Sequence, residues 1–247
     1  MPLSSEITDA LGDQLWACLN QRRTMAPITE RYPNMTIDDA YAVNLRLRHL
    51  RSARGDQLVG KKIGVTSHAV QSMLGVDQPD FGFLFESMVF SRVMPISEQL
   101  IQPRAEGELA FVLKDSLQGP GITDEQVLAA TESVVPCFEV VDSRIADWKV
   151  KIQDTIADNA SCGLYILGQG VSPEGLDFPN LKMKVYKNDR LLSEGEGRAA
   201  LERAGGERQN IGAVAAVSEY GCNLERQRRH GAWRHGCCQA RGLTSRQ

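Results

Sequence analysis

An α+β fold built on a curved mixed β-sheet, with helices gathered at the N-terminus, is what this sequence predicts. Three observations carry that expectation. Two helical segments lead the chain, strand-like segments then follow in runs and not in strict alternation with helices, and a hairpin pattern turning at "KNDR" comes late.

Each element has its own signal. Ile7, Leu11, Leu15 and Leu19 recur at helical spacing, which predicts a helix over 5–23. In "MTIDDAYAVNLRLRHLRSARG", Thr36 followed three residues later by Asp39 has the spacing of an N-cap with a reciprocal partner. From "QLVGKKIGV" onward the pattern changes to strands, predicted at 57–65, 104–114, 134–142 and 161–167, with the hairpin at 181–193. Short helices interrupt them at "SHAVQSMLG" and "TDEQVLAATES". The stretches "GVDQPDFGFLF" and "DTIADNASCG" read as polar, Gly-punctuated loops. The predicted organisation is a helical region over 1–56, a β-rich metal-binding catalytic domain over 57–201 and an atypical tail over 202–247.

Composition narrows the function classes. With 247 residues, 42% hydrophobic and 24% charged, the chain can bury a sizeable core. A formal net charge of -3 gives no long-range pull toward nucleic acid or an anionic membrane surface, so a small-molecule partner is expected. No apolar run has membrane-spanning length and the N-terminus lacks the pattern of a signal peptide, which predicts a cytoplasmic protein. Six cysteines without C-x-x-C spacing do not suggest a metal or redox motif, and Cys18, Cys137 and Cys162 read as small buried hydrophobes.

The chemistry concentrates in acids. In "PRAEGELAFVL", Glu106 and Glu108 share one strand face at the entrance to an apolar run, with Gly107 between them. Glu139 sits inside "VVPCFEVVDS", among apolar neighbours. Isolated buried carboxylates are costly, so a positive partner is required, and three carboxylates without imidazole or thiolate suit Mg²⁺ or Mn²⁺ better than Zn²⁺. The alternative is a solvated strand face. Lys61 and Lys62 in "LVGKKIGV" face opposite sides of a strand, one outward and one inward; the inward lysine is either a snorkelling side chain or a functional one. Asp77 and Asp80 can be turn residues, His68 belongs at a helix end, and Asn159 and Ser161 can bind a carboxylate or simply cap a turn.

Five motifs in order, "GKKIGVTS", "GVDQPDFGFLF", "PRAEGELAFVL", "PCFEVVDSRIADW" and "DTIADNASCGLYILG", resemble the hydratase and decarboxylase branch of the fumarylacetoacetate hydrolase superfamily, over roughly residues 5–201. The resemblance implies a roll-like catalytic domain, Glu106, Glu108 and Glu139 as ligands to Mg²⁺ or Mn²⁺, and Lys62 and Asp80 as proton-handling residues. It implies a small 2-hydroxydienoate or 2-oxo acid substrate, hydration in the meta-cleavage breakdown of aromatic compounds as the reaction, and decarboxylation as the rival. A homo-oligomer is expected, with a complex with a pathway decarboxylase or aldolase as a further partner expectation. A catalytically impaired paralogue that only pairs with such a partner is the reading from another class.

After Leu201 the text departs from that pattern. Arginines, two histidines, Trp233 and the pair Cys237–Cys238 crowd "NLERQRRHGAWRHGCCQARG", and no sustained periodicity survives apart from a weak helical stretch at "IGAVAAVSEYG". A basic nucleic-acid-binding tail is one reading; an out-of-frame segment lacking the expected closing strands is the favoured one.

Overall fold

The computed structural model describes residues 2–90, 93–118 and 121–198, with three short backbone segments at 214–216, 222–223 and 238–241. Helices α1 (Ser5–Gln21), α2 (Ile28–Arg31) and α3 (Ile37–Ala53) open the chain. Thr36 caps α3 as its spacing predicts: its hydroxyl accepts from the Asp39 amide, and the Asp39 carboxylate accepts from the Thr36 amide at 2.9 Å. The same carboxylate accepts from Leu3 N at 3.0 Å, which ties down the segment before α1.

Strand β1 (Leu58–Gly64), α4 (His68–Leu74), β2 (Asp80–Phe85), β3 (Val89–Phe90), α5 (Ile96–Gln99), β4 (Arg104–Leu113), α6 (Asp124–Ala130), β5 (Thr131–Val141), α7 (Ile152–Ala157), β6 (Leu164–Leu167), β7 (Lys182–Lys187) and β8 (Arg190–Glu196) follow. Strand β2 corrects one expectation. The predicted loop at 75–85 becomes a strand from Asp80 onward, because Phe81, Phe83 and Phe85 supply strand-forming side chains that outweigh the punctuation of Gly82. The second predicted loop holds α7, which the turn residues around it had hidden. The β7–β8 hairpin turns at Asn188 and Asp189, both left-handed (φ 49° and 61°), as a tight hairpin requires.

Strands β1 and β2 form an antiparallel ribbon. A larger sheet places β4, β5 and β6 side by side, with β3 added parallel to β6, so the sheet is mixed as predicted. Backbone segments β9 (Val214–Ala216) and β10 (Cys222–Asn223) run antiparallel to β4, and β11 (Cys238–Arg241) runs antiparallel to β7. The expectations of a disordered or out-of-frame tail otherwise lie outside the described residues.

Each face of the β4–β5 pair has a different job. Leu109, Phe111 and Val134 pack against Leu181 and Met183, forming one small core. Gly107 belongs to that face: a side chain there would stand 2.8 Å from Val185 and 2.9 Å from Met183, so the residue between the two glutamates is small because β7 crosses it. Ala110, Val135 and Cys137 join Leu84, Phe85 and Met88 in a second core. The helices bury Leu11, Leu15, Ile28, Val43 and Leu47 against Ile145, Ile152 and Ile156, so α7 is held on the helical layer. Asp154 strengthens that attachment by accepting from Thr29 N at 3.0 Å and Thr29 Oγ1 at 2.7 Å. Cys18, Cys137 and Cys162 are all buried, as read from the sequence.

Candidate functional site

Register fixes the acidic cluster. Glu106 and Glu108 lie two residues apart on β4, and Glu106 faces Glu139 directly across the β4–β5 ladder. Carboxylate oxygens from all three lie within 4.8 Å of one another. Glu108 and Glu139 are buried, while Glu106 stays partly exposed and marks the open side. Burial first, then repulsion from Glu139 and Glu106, pushes the Glu108 carboxyl well above the ordinary range. Glu106 is raised to about 7, chiefly by burial and against the pull of Lys62.

Lys62 supplies the opposite charge. On β1 it points inward while Lys61 is exposed, matching the alternation read from "GKKIG". Its ammonium lies 3.0 Å from Glu139 Oε1 and donates to Ala160 O at 2.8 Å. Burial alone would lower its pKa, yet Glu139 and the other nearby acids hold it well above the ordinary lysine value, so Lys62 is a fixed cation. Asp80 starts β2 opposite Gly64, fully enclosed and without a side-chain hydrogen-bond partner. Desolvation outweighs the attraction of Lys62 and raises its carboxyl to about 6.

Two motif glycines acquire physical reasons. A Cβ at Gly64 would stand 2.4 Å from Asp80 Oδ1 and 3.3 Å from Lys62 Cε, so a side chain there would displace both. A Cβ at Gly82 would stand 2.6 Å from Asn159 O and 2.9 Å from Cys162 Sγ. What presses on Gly82 is an unusual turn: Asn159, Ala160 and Ser161 are all left-handed, with φ of 57°, 51° and 53°. Such residues are strained without glycine, and their surroundings must hold them. Asn159 does so by pairing its side-chain amide with the backbone of Phe83, accepting from N at 2.7 Å and donating to O at 3.0 Å. Buried Arg144, paired with Asp158 and donating to Cys162 O at 3.1 Å, braces both flanks of the turn.

All seven residues singled out in the sequence are therefore placed near one another by three units: the β1–β2 ribbon, the β4–β5 pair and the turn after α7. Asn159 spends its amide on β2, whereas the Ser161 hydroxyl is buried with no hydrogen-bond partner. Missing from the sequence reading was the carbonyl of Ala160, which holds Lys62. A backbone group in a strained turn leaves no residue-type signal. His68 sits at the start of α4 and is exposed, at a helix end as expected.

The donor set fits a hard divalent cation. Three carboxylates crowd together with a single buried lysine, and Glu108 Oε2 and Glu139 Oε2 have no hydrogen-bond partner. Oxygen-only donors with room on one side suit Mg²⁺ or Mn²⁺.

No family model matches the chain. It is 57% identical over 202 residues to a 2-hydroxypent-2,4-dienoate hydratase of Pseudomonas putida, covering 81% of this chain and 91% of that protein. A 2-hydroxyhexa-2,4-dienoate hydratase of Comamonas testosteroni is 52% identical over 198 residues, covering 78% of this chain and 75% of the relative. Among solved structures, 4-oxalocrotonate decarboxylase from Pseudomonas putida G7, complexed with magnesium and adipate, is 33% identical with a TM-score of 0.75, covering 81% of this chain and 77% of that one.

Proposed function

Because the chain belongs to the hydratase and decarboxylase branch of the fumarylacetoacetate hydrolase superfamily, we propose that it is a metal-dependent hydro-lyase. It adds water to 2-hydroxypenta-2,4-dienoate and forms 4-hydroxy-2-oxopentanoate, a step in the meta-cleavage breakdown of aromatic compounds. The observation that carries this reading is the Glu106–Glu108–Glu139 cluster beside a buried, fixed lysine, in a chain 57% identical to a named hydratase.

Net hydration requires three proton movements: the enol proton leaves as C5 gains one, water adds at C4 with loss of a proton, and C3 gains a proton. Glu106, Glu108 and Glu139 would hold a divalent cation, which would supply Lewis-acid polarisation of the 2-oxo or 2-hydroxy group. Lys62 has three N–H donors; Ala160 O takes one while Glu139 pairs with its charge at 3.0 Å, which leaves N–H capacity to face substrate oxygen or deliver a proton. Asp80, with its carboxyl near 6, exchanges protons close to neutral pH and is the candidate base for water. Ser161 offers its unsatisfied hydroxyl to the substrate carboxylate, and Asn159 holds the turn that presents it.

A second reading is decarboxylation of 2-oxo-3-hexenedioate, supported by the structural similarity to the decarboxylase. Product analysis separates the two. Purified chain is mixed with the dienol in Mg²⁺ and in EDTA, dienol absorbance is followed, and products are identified by NMR. Metal-dependent 4-hydroxy-2-oxopentanoate supports hydration. Carbon dioxide from the hexenedioate without hydration of the dienol assigns the decarboxylase, and neither product refutes both. The homo-oligomer and the complex with a pathway decarboxylase or aldolase belong to the same proposal, and light scattering of the chain alone and mixed with each enzyme tests them.

A further inference from the structure

Resting on that reading, we infer that Thr66, the residue of "GKKIGVTS" to which no role has been given so far, is a substrate-binding residue whose hydroxyl takes a carboxylate oxygen of the 2-hydroxy or 2-oxo acid. Among the described residues, the buried side-chain oxygens that lack hydrogen-bond partners fall on Asn44, Thr66, Asp80, Glu108, Glu139 and Ser161. Four of these six belong to the acidic site and its turn. Asn44 lies on α3, where its amide nitrogen donates to Phe81 O while its Oδ1 stays unpartnered. Thr66 Oγ1 is the unpartnered oxygen that follows directly on the Lys62 strand.

Position connects Thr66 with the site. It lies two residues beyond Gly64, where an added Cβ would run into both Asp80 and the Lys62 stem. Two trans peptide links place the α-carbons of residues 64 and 66 within about 7.6 Å of each other. Val65, between them, is left-handed at φ 58°, an outlier for a β-branched side chain. That conformation redirects the chain as it leaves the ribbon. Gln71 holds it there by donating from Nε2 to Val65 O at 3.0 Å. The next hydroxyl, on Ser67, is already used as the N-cap of α4, accepting from Val70 N. Adjacent hydroxyls thus have different fates: one closes a helix, while the other is enclosed with nothing to bond.

Chemistry selects the ligand. A buried hydroxyl without a partner costs about 1–3 kcal/mol, and a strained backbone that keeps it so points to a ligand that repays both. The site that Gly64 adjoins is built from Asp80 and the glutamate cluster, acceptors that repel an acid substrate. A neutral O–H donor binds a carboxylate oxygen without adding negative charge, a role that a further acid cannot fill.

The test compares Thr66→Val, which keeps shape and removes the hydroxyl, with Thr66→Ser, which keeps the hydroxyl. For Thr66→Val we expect KM for the dienoate to rise about tenfold, with kcat changed less than threefold and with no loss of thermal stability. Thr66→Ser is expected to recover most of the KM. The thermal shift given by 2-oxopentanoate with Mg²⁺, a ligand that cannot be hydrated, is expected to shrink in Thr66→Val and to persist in Thr66→Ser. An unchanged KM and ligand shift in Thr66→Val overturn the assignment. So does a fall in Tm with KM unchanged, which marks a structural hydroxyl. If wild type fails to hydrate the dienoate, the parent reading falls, and the 2-oxopentanoate comparison still decides Thr66; no shift in wild type overturns it.

Discussion

Replacing Lys62 by methionine removes one charge and little volume from the centre of the site. In the wild type its ammonium lies 3.0 Å from Glu139 and 2.8 Å from Ala160 O. At 3.0 Å and an effective dielectric near 20, the attraction to Glu139 is about 5–6 kcal/mol before desolvation is counted. Removing one partner of a buried pair costs about 3–5 kcal/mol net, because the other charge stays buried and uncompensated. Here three further acids, Asp80, Glu106 and Glu108, feel the same loss. For a chain of this size the expected fall in Tm is about 6–20 °C in metal-free buffer. Added Mg²⁺ brings positive charge to the same carboxylates, so the gap between variant and wild type narrows. With Mg²⁺ present, turnover falls about 10²–10⁴-fold, the range expected when a proton-handling group is lost. Thermal denaturation with EDTA and with Mg²⁺, run beside the hydratase assay, reads all three effects. A variant as stable as wild type in EDTA, or a stability gap that ignores Mg²⁺, refutes the claim that Lys62 balances the acidic cluster.

Two other substitutions probe the supports of the site. Gly82→Ala forces a methyl to within 2.6 Å of Asn159 O, so overpacking is expected to cost about 1–3 kcal/mol and to lower kcat by moving the turn that holds Lys62; urea denaturation and steady-state kinetics check both. Asp39→Ala tests the α3 cap and its pH dependence. Burial would raise the Asp39 carboxyl, but hydrogen bonds from Thr36 and Leu3 lower it below 3.8, so its stabilisation is present above that value and is lost as pH falls through the lowered folded-state pKa. Wild type should exceed Asp39→Ala by about 1–2 kcal/mol at pH 7, with the difference shrinking in urea titrations as pH falls below 3.8 and through the lowered folded-state pKa. A constant difference across that range contradicts the assignment.

What the sequence made legible follows the side-chain periodicities. Alternation along β1 separated Lys61 from Lys62, and period two along β4 put Glu106 and Glu108 on one face. Cap chemistry located α3 from Thr36 and Asp39. The turn chemistry of Asn188–Asp189 marked the late hairpin. Features that depend on tertiary contact were hidden. Asp80 looked like a turn residue beside Pro79, because the strand it begins exists only through pairing with β1. The left-handed run at 159–161 contains no glycine, so nothing local announces it; contacts from Asn159 to Phe83 and from Arg144 to Cys162 hold it in place. Gly107 looked like a simple spacer between acids, and only the crossing of β7 shows why it must be small.

The central claim is that three carboxylates on β4 and β5 hold one divalent cation. Titrating Mn²⁺ into wild type and Glu108→Gln, with free Mn²⁺ read by electron paramagnetic resonance, tests it most directly. Wild type is expected to bind one Mn²⁺ per chain. Glu108→Gln, an uncharged isostere of a carboxyl that burial pushes towards its neutral form, is expected to lose that site while its metal-free Tm stays level or rises. Equal stoichiometry and affinity in the two proteins would contradict the account.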